Sequence, residues 1–153
     1  MADTDTHTDT ILRLDNYWPY QISVLADRIA RRTSTIVKAH GLNLSQWRVM
    51  AAIGEVPGRS SVDVVTLTPM DKGIVSRATK ALLELGLARR EASQEDGRIS
   101  HLYLTEKGRA LYGTVVPQVE AILQRATENL SSAEQNRLSE SLGALIKVIP
   151  DLR

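Results

Sequence analysis

Asp71-Lys72-Gly73-Ile74-Val75-Ser76-Arg77-Ala78-Thr79-Lys80-Ala81-Leu82-Leu83-Glu84-Leu85-Gly86 interleaves apolar and cationic residues at a helical interval. With Lys72 at zero and roughly 100° per residue, Ile74, Val75, Ala78, Ala81, Leu82 and Leu85 fall in one apolar arc between about 180° and 300°. Lys72, Gly73, Ser76, Arg77, Thr79 and Lys80 fall between about −20° and 140° on the other side. One side is built for burial. The other carries three cations and two hydroxyls, which can neutralise phosphates and hydrogen-bond base edges in a major groove. Gly86 stands where a left-handed residue ends a helix. An ordinary solvated amphipathic helix shares this pattern, so its neighbours decide the reading.

Upstream, Leu44 to Glu55 reads as a helix capped by Asn43 or Ser45, and Pro57-Gly58 ends it. Ser60 or Ser61 caps a short helix with Val62, Val64, Val65 and Leu67 as its apolar positions. Thr68-Pro69 turns the chain into the helix above, which is expected to begin near Met70. Short helix, tight turn and amphipathic helix make a helix-turn-helix. Downstream the period becomes two. Leu87–Glu91 and Ile99–Leu104 read as strands, with Leu102 and Leu104 on one face and His101 and Tyr103 on the other. The polar loop between them carries Asp96-Gly97 at its tip, a hairpin signal. A hairpin behind a helix-turn-helix is a wing. Its Arg98 suits a narrow minor groove, and Asp96 is expected to hold Arg98 by a charge-assisted hydrogen bond. A turn residue beside a surface cation is the plainer alternative.

The fold class is therefore mainly α (α+β): a winged helix-turn-helix module, residues 44–104, flanked by helices over 11–40 and 105–153. Residues 1–10, Thr- and Asp-rich, read as a disordered tail. In 11–40, Ile22, Leu25, Ile29, Ile36 and Val37 recur at helical spacing, Pro19 suits a first turn and Gly41 closes the helix. Thr105 caps a helix running to about Leu130 with a bend expected at Pro117. Ser131-Ser132-Ala133-Glu134 offers a capping box for a last helix ended by Pro150. These flanking helices are long and apolar along one stripe. A lone copy would expose those stripes, whereas a second copy would cover them. A homodimer would also set two recognition helices one turn of a palindromic duplex apart.

The 153 residues carry a formal net charge of +1, with three aspartates in the first ten residues, so the remainder stands at +4. A DNA footprint must then be local. Cysteine is absent, which excludes disulfides and thiolate metal sites and fits a cytoplasmic protein. No apolar run is long enough for a membrane, and no membrane partner is expected. His7, His40 and His101 fall in a tail, a helix end and a wing strand, outside any nucleophile, phosphate-loop or metal motif. No catalytic residue, metal or cofactor is expected, and the chain reads as no enzyme.

Met70-Asp71-Lys72-Gly73-Ile74-Val75-Ser76-Arg77, Leu82-Leu83-Glu84-Leu85-Gly86-Leu87 and Asp96-Gly97-Arg98-Ile99-Ser100-His101-Leu102-Tyr103-Leu104-Thr105-Glu106-Lys107-Gly108 resemble the MarR family of bacterial winged-helix transcription regulators. The wing pattern, Asp-x-Arg and then Leu-x-Leu-Thr-x-x-Gly, is the more specific part. The resemblance runs through nearly the whole chain, making 11–153 a single MarR-type domain. It implies a homodimer joined by its terminal helices, double-stranded palindromic operator DNA, and repression relieved by a small ligand. Roles in DNA contact fall to Ser76, Arg77 and Lys80 on the recognition helix and to Asp96 and Arg98 on the wing. Where Gly73 stands the family often has a bulkier or polar residue. Glycine costs about 1 kcal/mol of helix propensity, in exchange for closer backbone approach or at the expense of base readout. The family's ligand region would be lined here by Trp18, Tyr20, His40, Trp47 and Arg48, suiting an aromatic carboxylate or an aromatic acyl thioester. Four of them have a plainer reading: Trp18 and Tyr20 in a core or dimer seam, Trp47 in the core of the second helix, His40 at terminal carbonyls. Other functions left open are a winged helix serving only protein interaction, and a MarR-type activator without an effector.

Overall fold

A computed structural model describes residues 11–96 and 98–152. The expected tail at 1–10 and the hairpin tip at Gly97 lie outside them. A 3-10 turn at Leu14–Asn16 precedes helix α1 (Trp18–Ala39), α2 (Leu44–Glu55), α3 (Ser61–Leu67) and α4 (Lys72–Glu84). Strands β1 (Ala88–Ala92) and β2 (Ser100–Leu104) follow, then α5 (Glu106–Thr127) and α6 (Ser132–Val148). Among the described residues this is the winged helix expected, with six α-helices and a two-stranded antiparallel sheet. Among the described residues no helix is long and apolar enough to cross a membrane.

Local chemistry sets the helix ends. Asn43, Ser60 and Ser131 accept the N3 backbone N–H, and Gln46, Asp63 and Glu134 return a bond to the cap, making three capping boxes. Gly86, at φ +66°, closes α4: its N–H reaches Leu83 O at 3.0 Å and the Leu87 N–H reaches Leu82 O at 2.9 Å. That pair of bonds is the Schellman closure that glycine permits. Helix boundaries differ from expectation in three places, one of them the end of α5, at Thr127 and not near Leu130. The first helix begins at Trp18, not near Ile11, with Pro19 in its opening turn. The recognition helix begins at Lys72, because Asp71 serves as its cap, accepting Ile74 N–H at 2.7 Å, while Met70 is buried in the core. Pro117 sits within one continuous helix.

The core lies where α2, α4, α5 and the wing meet, built on Val49, Met50, Ile53, Val75, Leu82, Leu102 and Val115. Trp47 stacks on Tyr112 at 5.8 Å between centroids, and a Cβ on Gly54 would sit 2.8 Å from that tyrosine ring. Of the apolar positions expected in α3, Val64 is buried but Val62 is 73% and Leu67 55% exposed. A helix of seven residues turns only one side to the core. The termini contrast with this centre. Only Thr33 and Val37 are buried along the 22 residues of α1, and none along the 17 of α6.

Candidate nucleic-acid interface

α4 is held by α2, α3 and β1. Val75, Ala78 and Leu82 anchor it, and Lys72, Gly73, Ser76, Arg77 and Lys80 remain exposed along its outer side. The wheel thus sorts these residues correctly. Thr79 is the exception and a correction. It is fully buried, and its Oγ1 has no hydrogen-bond partner. At the margin of the polar arc it faces the neighbouring helices, which widen the buried side beyond the apolar residues. A groove contact from Thr79 is thereby ruled out in this packing.

The outer face is electrostatically uncommitted. Lys80 meets Glu84 only at 3.9 Å with both side chains exposed, a pair of negligible strength. The space above Gly73 is occupied from one turn on. A Cβ there would lie 3.3 Å from a guanidinium nitrogen of Arg77 and 3.3 Å from the Asp71 carboxylate. Arg77 thus leans toward the helix N-terminus.

β1 pairs with β2 in the register Ala88↔Leu104 to Ala92↔Ser100, and Leu102 and Leu104 are buried on one face as the alternation requires. The connecting loop is organised by side chains. Ser93 Oγ accepts the backbone N–H of Glu95 and of Asp96, each at 3.3 Å. The Asp96 carboxylate accepts the Arg98 backbone N–H at 3.0 Å. Asp96 therefore does hold Arg98, but through the main chain and not through the guanidinium as expected. The Arg98 side chain stays exposed.

The wing is broader than the sequence indicated. The Gly58–Ser60 segment pairs with β2: Gly58 N–H bonds Leu102 O at 2.9 Å, Leu102 N–H bonds Arg59 O at 3.0 Å, and Ser60 bridges His101. His101 Nδ1–H donates to Gly58 O at 2.8 Å. Arg59 bonds Ala52 O and Glu55, clamping this edge to the end of α2. No periodicity marks three residues between two helices, so pattern reading passed over them. The Asp63 carboxyl is held below the usual range, first by the Ser60 N–H and hydroxyl. Tyr103 lies under Arg89 at 4.6 Å, and Arg89 also pairs with Glu91.

The five residues expected to line a ligand region do not all converge within a single copy of the chain. Trp18 and Tyr20 lie at the start of α1, about 30 Å by helical rise from His40 at its end. His40 meets Gln118 of α5 at 3.3 Å, and Trp47 is buried against Tyr112. Arg48 is half-buried, and desolvation lowers its pKa. Trp18 lines a recess with Ile22 of α1 and Leu142 and Leu145 of α6, while Tyr20 lines another with Leu14 and Leu25. Among the described residues no group of three His, Cys, Asp or Glu is placed to hold a metal ion.

Comparison with known proteins adds the relatives. A family model described as MarR family matches residues 40–99, the span from the end of α1 to the last residue before β2. The homoprotocatechuate degradative operon repressor of Escherichia coli is 28% identical over 115 residues, 72% of this chain and 75% of that protein. A MarR family transcriptional regulator from Listeria monocytogenes, solved in complex with 26mer DNA, superposes with a TM-score of 0.79 at 25% identity, covering 83% of this chain and 85% of that one. CouR from Rhodococcus jostii RHA1, bound to p-coumaroyl-CoA, shares the fold at a TM-score of 0.79 and 18% identity, covering 92% of this chain and 100% of that one.

Proposed function

This chain belongs to the MarR family of transcriptional regulators, and from that premise we propose that it is a homodimeric repressor of palindromic operators, released by a small anionic ligand. The observation that carries the DNA reading is the stripe Lys72, Gly73, Ser76, Arg77 and Lys80, exposed on a helix whose other side is fixed in the core. In this reading Lys72 and Lys80 neutralise phosphates, Ser76 and Arg77 address base edges, and Gly73 lets the backbone approach. Arg98, on a loop braced by Asp96 and Ser93, enters the flanking minor groove.

The dimer reading is supported by α6, which has no buried residue in one protomer although Leu138, Ile146 and Val148 are apolar and exposed. Residues 11–153 then act as one unit in the cytoplasm. The module 44–104 meets DNA, and the helices over 11–40 and 105–153 join the copies. The repressor reading draws on the E. coli relative, named for repressing a homoprotocatechuate operon. That name and the p-coumaroyl-CoA in CouR both favour an aromatic effector.

The test is a gel-shift titration on the DNA upstream of its own gene at several salt concentrations. Wild-type affinity should fall steeply with salt, and Arg98→Ala should weaken binding while leaving the dimer intact. Equal affinity of Arg98→Ala at physiological salt would remove the wing from the interface. Salt-insensitive, sequence-blind binding would remove the operator.

A further inference from the structure

Gly73 and Arg77 stand four residues apart on the exposed side of α4, so they share one stripe of the helix surface. Helical side chains slope toward the N-terminus, and a long one reaches over the residue four positions earlier. What stands at that earlier position decides where the long chain can lie. On α1, Asp27 stands four residues ahead of Arg31, and the two pair at 2.6 Å. On α4 the residue four ahead of Arg77 is a glycine, which puts nothing in the way.

The guanidinium lies in the space a side chain at 73 would need. The position a Cβ would take on Gly73 is 3.3 Å from Arg77 Nη1 and 3.3 Å from Asp71 Oδ1. A guanidinium nitrogen and a carboxylate oxygen thus border the same point. Asp71 Oδ1 is itself fixed, because it caps α4 and accepts the Ile74 N–H at 2.7 Å. Among the described residues Arg77 has no direct ion pair. Its charge stays available to a ligand, while the nearby carboxylate favours one direction for it. An alanine methyl at 73 would move the tip of Arg77 by only a few tenths of an ångström. A long side chain there would take its place outright. Lying back in this way, the guanidinium is carried toward the N-terminus of α4, the end of a recognition helix that meets base edges. Its fork matches the O6 and N7 acceptors of a guanine with two hydrogen bonds.

We propose that Gly73 and Asp71 are positioning residues for Arg77: the glycine makes room for the guanidinium, the carboxylate directs it, and the fork so held reads one guanine in each half-site through the major groove. This rests on the regulator reading, and it gives Gly73 a side-chain task in addition to backbone approach.

The experiment is binding-site selection from a randomised duplex library, using wild type, Arg77→Ala, Gly73→Met, Asp71→Asn and the double variant Gly73→Met/Arg77→Ala. Methionine favours a helix more than glycine does, and asparagine caps one as well as aspartate, so α4 is kept in each. Wild type should prefer a guanine at one position of each half-site, and Arg77→Ala should lower that preference about tenfold. Gly73→Met should relax the same base pair by a similar factor although Arg77 is present. The double variant should relax it no further than Arg77→Ala does. Asp71→Asn removes a negative charge beside the DNA-facing side, so it should tighten binding to unrelated DNA and yet lower the guanine preference. The proposal is overturned if wild type selects no guanine that Arg77→Ala relaxes, or if Gly73→Met weakens all sequences alike and the preference survives, the outcome for backbone approach alone. It is also overturned if the double variant loses more preference than Arg77→Ala, or if Asp71→Asn leaves the preference unchanged. Nuclear Overhauser contacts between the Arg77 Hδ and Gly73 Hα protons of the DNA-free protein test the placement by itself: they are expected in wild type, and their absence overturns it. A wild type that selects no sequence at all would instead strike the regulator reading.

Discussion

Replacing Thr79 with valine separates packing from recognition in a single residue. The threonine hydroxyl is fully buried without a partner, so folding strips its water and returns nothing. Such a group costs about 1–3 kcal/mol relative to an apolar atom of the same shape. Valine keeps the β-branched outline and has a similar helix propensity. Thr79→Val should therefore gain about 1–2 kcal/mol, which raises the melting temperature by roughly 2–8 °C for a chain of this size. Thr79→Ser, which keeps the hydroxyl and deletes a buried methyl, should lose about 1 kcal/mol. Both are read by thermal unfolding at one fixed protein concentration, since association of copies would couple to stability. In parallel, operator affinity of Thr79→Val should equal wild type, because the side chain faces the core. A melting temperature that falls on Thr79→Val would refute the buried, unpartnered hydroxyl. An unchanged melting temperature with a tenfold loss of operator affinity would return Thr79 to the groove.

Lys80→Ala should weaken binding uniformly across DNA sequences and reduce the salt slope by about one phosphate contact, whereas Arg77→Ala should also relax discrimination among operators in a binding-site selection. Gly108→Ala forces a Cβ into the Leu87 carbonyl, and unfolding curves should show a loss of about 1–3 kcal/mol or more. Ile146→Glu places a charge on the exposed apolar side of α6, and sedimentation should report a monomer that binds operator poorly. Ser60→Ala removes a capping box and should cost about 1 kcal/mol at neutral pH. Asp63, whose carboxyl the Ser60 bonds hold low, contributes that stability above the ordinary carboxylate range. The contribution disappears as pH falls through the lowered value, so the wild-type advantage over Ser60→Ala should shrink in acid melts below about pH 4.

Sequence reading succeeded where one periodicity and one cap settle an element. The apolar arc of α4, a serine cap at Ser60, the capping box at Ser131, and the alternation of Leu102 and Leu104 each follow from a few adjacent residues. It failed where a second element decides. A helical wheel places Thr79 beside Lys72, and only the helices packed on α4 bury it. The Gly58–Ser60 edge gains its strand character from β2, which lies some forty residues on. Trp18 and Tyr20 were grouped with His40, Trp47 and Arg48 by the resemblance alone, and within a single copy the 22 residues of α1 separate Trp18 from His40.

The most direct test of the central claim is a hydroxyl-radical footprint of the wild-type protein and Arg98→Ala on the DNA upstream of its own gene. A two-fold pair of winged modules predicts symmetric protection of two half-sites about one helical turn apart, or a multiple of that, with flanking minor-groove protection that disappears in Arg98→Ala. A footprint without two-fold symmetry, or flanking protection that survives the loss of Arg98, would contradict the account.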